Sequence, residues 1–143
     1  MSLEFRQMEV GDFDSLLPLW SSVEGLSLER MRDRDCLAGY LSRNPGYSRV
    51  AVVGSDLVAA LLCGHDGMCG YMYHLAVRPD WRRKGLATAM VGDCLLRLAR
   101  DGIDSCAIVV GDANRAARSF WSSLGWRRRD NASALYCVDV GRR

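Results

Sequence analysis

The chain has 143 residues, of which 49% are hydrophobic and 25% are charged. This balance excludes disordered, collagenous and fibrous proteins, and the length suits one domain over residues 1–143. Lysine and arginine number 19 and aspartate and glutamate 17, so the net charge is +2. A surplus this small does not suit a nucleic-acid partner bound through phosphate neutralisation, so we expect any anion site to be local.

The apolar segments and the cysteines bear on compartment and metal binding. No apolar stretch reaches the roughly 20 residues that a membrane helix needs, and the charged N-terminal residues lack a signal-peptide hydrophobic region. The six cysteines include no CxxC pair, and the histidines are His65 and His74 alone. An even number would suit disulfides in a secreted protein. We expect instead a cytoplasmic protein with free thiols, no metal site and no membrane partner.

The first half of the chain predicts two helices that lead into an antiparallel meander. A strand is expected over Phe5–Val10, after which Asp12 is placed to cap a first helix. Ser27 is placed to cap a second helix, which Pro45 and its neighbours end. Three β-rich runs follow, over Arg49–Val53, Leu57–Cys63 and Tyr71–Val77.

The second half alternates strands and helices. An apolar stripe from Leu86 predicts a helix that ends near Asp101, and Asn114–Leu124 predicts another. Strands are expected over Ser105–Val110, Arg127–Arg129 and Ala134–Val138, the last two joined by a turn at Asp130–Asn131. Strand, helix and strand in this order predict parallel pairing of the strands that flank the long helix. We expect an α/β (α+β) fold with a mostly antiparallel sheet of about seven strands and about four helices on both faces.

The junction between a strand and the long helix, Val77–Thr88, carries the clearest chemical signal. Gly85 opens the helix, where backbone N–H groups are left without partners and the helix dipole favours an anion. Arg82, Arg83 and Lys84 add positive charge, so the segment suits a phosphate or pyrophosphate. The alternative is a solvated basic turn in which Gly85 only eases the bend.

Two segments resemble the GNAT superfamily of acyl-CoA-dependent N-acetyltransferases. Arg82–Ala87, RRKGLA, resembles the (Gln/Arg)-x-x-Gly-x-(Gly/Ala) loop that binds the pyrophosphate of acetyl-CoA. Asn114–Trp126 is similar to the family's Asn-x-x-Ala-x-x-Phe-Tyr-x-x-x-Gly-Phe segment. Gly64–Gly67 and Tyr71–Val77 are similar to small stand-alone members of bacteria and archaea.

The resemblance implies how the cofactor and the reaction are arranged. The fourth and fifth strands run parallel and splay apart around the pantetheine arm. A neutral primary amine of a small molecule or protein attacks the thioester directly, and a backbone N–H of Leu75 or Val77 holds the oxyanion. Asn114 contacts the pantetheine arm, although plain helix capping is an equal reading of that residue. The implied acetyl-CoA-binding residues are Leu75, Ala76, Val77, Arg82, Arg83, Lys84, Gly85, Leu86, Ala87, Thr88, Asn114, Ala117, Phe120 and Trp121.

Two positions depart from the family pattern. Trp121 replaces the Tyr that usually acts as general acid, and an indole N–H is no proton donor near neutral pH. Tyr73 and Tyr136 are candidate replacements. The usual Glu of the fourth strand is also missing, so His74 is the best-tuned candidate base. Period-2 alternation predicts that His74 faces away from Tyr71 and Tyr73, so only one set can face the acceptor. The alternative to a base is that His74 is a hydrogen-bonded core residue.

The acceptor is the part of the reaction that the sequence identifies least. Trp20, Glu24 and Tyr71 are candidate substrate-binding residues, since the segments around them border the acceptor site in this family. A non-catalytic acyl-CoA-binding or regulatory module, which would lack the usual acid, is the alternative function. The family's frequent dimers make a homodimer a reasonable expectation.

Overall fold

The computed structural model describes residues 2–23, 25–29, 31–129 and 136–140. The strands are β1 (Leu3–Gln7), β2 (Arg49–Val53), β3 (Asp56–His65), β4 (Gly70–Val77) and β5 (Cys106–Ile108). The helices are α1 (Phe13–Ser21), α2 (Arg34–Arg43), α3 (Leu86–Arg100) and α4 (Arg115–Ser123). No helix of the described residues is long and apolar enough to cross a membrane.

The five strands form one mixed sheet in chain order. Strands β1 to β4 pair antiparallel, with a hairpin at Gly54 between β2 and β3, and β5 pairs parallel with β4. The predicted mixed fold, its hairpin and its parallel pair are therefore confirmed. Strand β3 lies at the centre of the sheet, and its interior residues from Val58 to Gly64 are all buried.

Alternation along the strands gives the sheet two apolar faces, each covered by helices. On the α1–α2 face, Ala60 and Leu62 of β3 pack with Trp20 of α1 and Leu37 of α2. On the α3–α4 face, Leu61 and Cys63 pack with side chains of the two later helices: Leu86, Met90, Val91, Cys94 and Leu98 of α3, and Trp121 of α4. A strand buried on both sides explains why β3 is almost wholly apolar.

Two helix starts differ from the prediction. Asp12 does precede α1, but its carboxylate accepts hydrogen bonds at 2.8–2.9 Å from Arg6 and from the Glu9 N–H instead of capping that helix. The prediction that Ser27 caps α2 is wrong: Asp33 is the cap, and its carboxylate accepts from the Cys36 N–H at 2.9 Å. Ser27 instead accepts from the Glu29 N–H at 3.3 Å, in a turn that precedes the helix.

The sheet has five strands among the described residues, and the expectation of about seven is corrected. Arg127–Arg129 is not a strand. A run of arginines offers no apolar side chain to bury, and Arg128 instead pairs with Asp112 at 3.1 Å. The predicted turn at Asp130–Asn131 and the start of the strand at Ala134 lie outside the described residues, and Tyr136–Val138 is exposed and not in a strand.

Candidate active site

Strands β4 and β5 diverge in the middle of β4. Their parallel pairing covers Gly70, Tyr71 and Met72 of β4, which match Cys106, Ala107 and Ile108 in that order. From Tyr73 to Val77, β4 pairs with β3 on one side only. The other edge of this half-strand therefore lines an opening, and its backbone groups have no strand partner among the described residues. We call it the β4 opening.

A β-bulge at His74 decides which groups face the β4 opening. Leu62 pairs with Tyr73 and Ala60 with Ala76, so Leu61 stands opposite two residues, and His74 has a φ of 52°. The Gly70 N–H donates towards β5, to Ser105 O at 2.8 Å, whereas the Arg78 N–H donates towards β3, to Val58 O at 2.8 Å. In a regular strand, residues eight apart direct their N–H groups to the same neighbouring strand. The extra residue of the bulge reverses this direction for every residue after His74. It follows that the Leu75 and Val77 N–H groups face the opening.

The bulge also corrects the predicted orientation of His74. Its ring lies edge-on to Trp20 of α1, with centroids 5.2 Å apart, on the α1–α2 face. Tyr73 contacts Tyr40 of α2 on that same face. The prediction that alternation separates His74 from the tyrosines is wrong, because the extra residue of a bulge breaks the two-residue period. Leu75 and Val77 pack on the α3–α4 face, and Ala76 is buried on the other.

His74 is held in a form suited to accept a proton. Burial lowers the pKa of its imidazole, opposed in part by a backbone hydrogen bond with Ser27. The hydrogen bond with Ser27 agrees with the interpretation of His74 as a hydrogen-bonded core residue, while its buried Nδ1 atom has no partner among the described residues. The Nε1 atom of the neighbouring Trp20, a fully buried side chain, also has none. Two unsatisfied polar atoms therefore adjoin the bulge.

The start of α3 forms an open, positively charged turn beside the β4 opening. Arg83 and Gly85 take left-handed backbone conformations, with φ of 63° and 79°, and a Cβ added at Gly85 would meet no atom within 4 Å. Arg82 donates from Nε to Val77 O at 2.9 Å, which ties the turn to β4. Lys84 lies over the Trp81 ring at 5.4 Å. Leu86 is buried in the core while Thr88 is exposed, so the helix presents its first N–H groups to solvent.

Helix α4 brings the second motif to the same region. Asn114 caps the helix, since its Oδ1 accepts from the Ala117 N–H at 3.1 Å. Its Nδ2 lies 3.7 Å from the position of a Cβ added at Gly25, in the segment between α1 and α2. Trp121 is 6% exposed and packs on Trp126 at 4.5 Å, while Ala117 and Phe120 are partly buried beside it. Trp121 is therefore a buried residue of the core on the α3–α4 face.

Of the remaining predicted site residues, two lie together on β4, one is exposed and one lies outside the described residues. Tyr71 and Tyr73 stack with centroids 6.5 Å apart and stay about two-fifths exposed. Tyr136 is 92% exposed, and Glu24 lies outside the described residues. Sequence reasoning missed Tyr40, whose ring meets Tyr73 edge-on at 6.1 Å. Its place in the apolar stripe of α2, three residues after Leu37, was the signal that pointed to the sheet.

Comparison with known proteins identifies the class. The model of the acetyltransferase (GNAT) family matches residues 13–126, so the chain belongs to that family. An acetyltransferase of Pectobacterium atrosepticum is 26% identical over 141 residues, covering 99% of this chain and 95% of the relative.

Two solved structures show the same fold. The PaiA N-acetyltransferase of Thermoplasma acidophilum, in complex with coenzyme A, has a TM-score of 0.76 and 17% identity, covering 92% of this chain and 93% of that one. An aminoglycoside acetyltransferase from an uncultured soil metagenomic sample, in complex with trehalose, has a TM-score of 0.75 and 18% identity, covering 96% and 97%. The chain is thus an acetyltransferase by family and by fold.

Proposed function

We propose that residues 1–143 act as a single N-acetyltransferase domain that moves an acetyl group from acetyl-CoA directly to a primary amine. The observation that carries the proposal is the β4 opening, where the N–H groups of Leu75 and Val77 stand free next to the helix start at Gly85. An amine acceptor is also supported by the aminoglycoside acetyltransferase of similar fold, since aminoglycosides are amines.

The residues around the β4 opening fit coenzyme A. The N–H groups after Gly85 and the side chains of Arg82, Arg83 and Lys84 would hold the pyrophosphate, and the open space at Gly85 leaves room for it. The free edge of β4 would align the pantetheine arm by backbone hydrogen bonds, with the Asn114 amide at its far side. Bound there, acetyl-CoA supplies an activated acyl group as a thioester.

The chain's own groups then stabilise charge and accept a proton. The Leu75 and Val77 N–H groups donate to the thioester oxygen as negative charge develops on it. A neutral His74 accepts the proton that the ammonium form of the acceptor must lose before it attacks. The lowered pKa of His74 keeps that side chain neutral at pH 7.

Departure of the thiolate does not require the missing tyrosine. An ordinary thiol has a pKa of about 8.5, so the leaving group is tolerated near neutral pH or protonated by water. Trp121 then serves only as a wall beside the cofactor. Tyr73 stays a candidate donor because it is partly exposed at the mouth of the opening, whereas the exposure of Tyr136 does not favour that residue.

Direct transfer is favoured over an acetyl-enzyme at Cys63 or Cys106, since these two thiols are poor nucleophiles. Cys63 pairs with Met72 in the sheet, and its pKa is raised by a hydrogen bond with Cys94 and by burial. Burial raises the pKa of Cys106, which pairs with Gly70, to about 12. A cysteine reacts as its thiolate, so neither is suited to receive the acetyl group at neutral pH.

The function is tested by release of free thiol from acetyl-CoA in the presence of a panel of primary amines. We expect thiol release to depend on the amine and the acetylated amine to accumulate in equal amount, as followed by mass spectrometry. Acetyl-CoA binding in a calorimeter without thiol release on any amine would instead support the non-catalytic module.

A further inference from the structure

Three tyrosines form a cluster next to the bulge on the α1–α2 face. The rings of Tyr71 and Tyr73 stack with an interplanar angle of 23°, and Tyr40 meets Tyr73 edge-on at 90°. Tyr71 and Tyr73 are 37% and 40% exposed, so part of each ring is open to a ligand. We call these three residues the tyrosine cluster. Its two β4 members, Tyr71 and Tyr73, come just before His74, so the cluster lies beside the bulge.

The tyrosine cluster has the properties of a cation site. Aromatic faces attract ammonium groups through the ring quadrupole. Among the described residues, the chain's own cations lie over other rings, Arg34 over Phe13 and Lys84 over Trp81. Tyr40 is mostly buried behind Tyr73 and holds that ring edge-on, so the faces open to a ligand are those of Tyr71 and Tyr73.

A fixed negative charge stands at the far end of the cluster. The Asp66 carboxylate accepts from the Met68 and Cys69 N–H groups at 2.8 and 2.9 Å, which lowers its pKa and keeps it ionised. Its turn joins β3 to β4 just before Tyr71. Asp66 directly follows His65, which pairs with Gly70, and the next pair along the two strands is Gly64 with Tyr71, so the carboxylate stands at the Tyr71 end of the cluster.

The spacing separates this charge from the reacting centre. Tyr73 and Tyr71 precede Leu75 by two and four residues, but the bulge takes up one residue of that interval. At the usual rise per residue of a strand, they therefore lie about 3 and about 10 Å from Leu75 along β4. An amine at the bulge with a second ammonium group on a flexible linker would place that second group over the tyrosine cluster, within the field of Asp66. A neutral alkyl tail would use only the ring surface.

We propose that the acceptor is an aliphatic diamine or polyamine, acetylated at one end while its second cation lies between the tyrosine cluster and Asp66. The assignment rests on the amine acetyltransfer proposed above and adds the class of acceptor. The recognition is by cation–π attraction and by charge, and one ammonium group stays ionised while the other loses its proton to react.

The test compares acceptors that differ only in the second charge. Initial rates are measured on 1,3-diaminopropane, 1,4-diaminobutane and spermidine against propylamine and butylamine. We expect kcat/KM to be about 30-fold higher for each diamine than for its monoamine. Equal values would overturn the proposal, and so would a higher kcat/KM on a Lys-Arg dipeptide than on every diamine, which would assign the site to basic peptides.

Variants assign the preference to the named residues. Asp66→Asn keeps an oxygen for the turn and should lower the ratio of diamine to monoamine kcat/KM about fivefold. Tyr71→Leu should lower that ratio more than Tyr71→Phe, because Phe keeps a ring face. Glu4→Gln, on β1 three strands away, removes the same charge and serves as the control. Identical ratios in Asp66→Asn and Glu4→Gln would contradict the role of Asp66.

A binding measurement separates this proposal from the function on which it rests. 1,4-Diaminobutane and butylamine are each titrated in a calorimeter into protein saturated with coenzyme A. Binding of the diamine about 10-fold tighter supports the dication site even if no thiol is released with any amine, a result that would remove only the proposed catalysis. Equal binding of the two ligands overturns the dication site whatever the turnover.

Discussion

The two faces of the sheet are packed in different ways. On the α3–α4 face, α3 and α4 fill the space with apolar side chains, and the buried atom without a hydrogen bond there, Arg49 Nε, lies 3.4 Å from the Asp93 carboxylate. On the α1–α2 face, buried polar atoms of Trp20, Tyr40 and His74 have no partner among the described residues. Unsatisfied buried groups are costly, and their accumulation on one face is what the proposed amine site would use.

Under the proposed function, the difference assigns one substrate to each region. The filled face supplies a rigid frame and an exposed helix start, which suits the pyrophosphate of acetyl-CoA. The α1–α2 face supplies polar and aromatic groups, which suits an amine. Substitutions in the two regions should therefore separate binding of the cofactor from use of the acceptor.

The largest effect is expected at the cofactor end. Gly85→Glu places a carboxylate in open space at the start of α3, and we expect acetyl-CoA binding to weaken about 1,000-fold, or ~4 kcal/mol, through like-charge repulsion. Calorimetry measures the change. Gly102→Glu is the matched control, because Gly102 follows the other end of α3 with a φ of 80° and equally open space. Equal loss in both variants would show that backbone strain, and not the helix start, is responsible.

A smaller effect is expected at the bulge. His74→Asn suits the left-handed backbone and removes the base, so kcat/KM should fall about 100-fold while acetyl-CoA binding is unchanged. The pKa of His74 lies below its usual value of about 6.5, so kcat/KM of the wild type should rise as the pH increases through that lower pKa. The variant should not show this rise. His65→Asn, at the other histidine, is the control. If the variant shows the same rise of kcat/KM with pH as the wild type, His74 is not the base.

The same titration predicts how stability depends on pH. The unfolded state takes up a proton at His74 more readily than the folded state, since burial lowers the folded pKa. The free energy of unfolding should therefore fall as the pH drops below about 6.5, and this fall should be smaller in His74→Asn. Denaturant unfolding at a series of pH values measures it. An equal fall in both proteins would contradict the buried, neutral state of the ring.

Substitutions of Asn114 distinguish the two roles of its side chain, the cap of α4 and the proposed contact with acetyl-CoA. Asn114→Asp keeps the oxygen that caps α4, so stability should change by less than about 0.5 kcal/mol, but it loses the amide donor. We expect the KM for acetyl-CoA to rise about fivefold, the value of one hydrogen bond. Asn114→Ala should also lose about 1 kcal/mol of stability. If the Asp variant has the wild-type KM, Asn114 is only a cap.

The smallest effect on turnover is expected at Trp121. Trp121→Tyr and Trp121→Phe remove the same bulk and differ only by a hydroxyl, so both should lose about 1–3 kcal/mol of stability from a core in which Trp121 packs on Trp126. We expect their kcat values to agree within about threefold, because a thiolate leaves without an acid. A kcat about 10-fold higher in the Tyr variant would show that an acid is needed.

The sequence predicted the parts that local chemistry decides. The apolar stripe of α3, the glycine at its start and the Asn114 cap all follow from short-range patterns, and they carry the cofactor region. The bulge at His74 was not predictable, since it depends on the pairing of β4 with β3, and it moved a histidine to the opposite face. The start of α2 was missed because Ser27 and Asp33 both suit a cap, and tertiary packing chooses between them.

The most direct measurement of the central claim is the initial-rate pattern with both substrates varied. If acetyl-CoA and the amine occupy separate regions at the same time, double-reciprocal plots against acetyl-CoA at several amine concentrations should intersect, and no acetylated protein should accumulate with acetyl-CoA alone. Parallel lines, together with an acetyl group on a cysteine, would show transfer through the enzyme and would contradict the account.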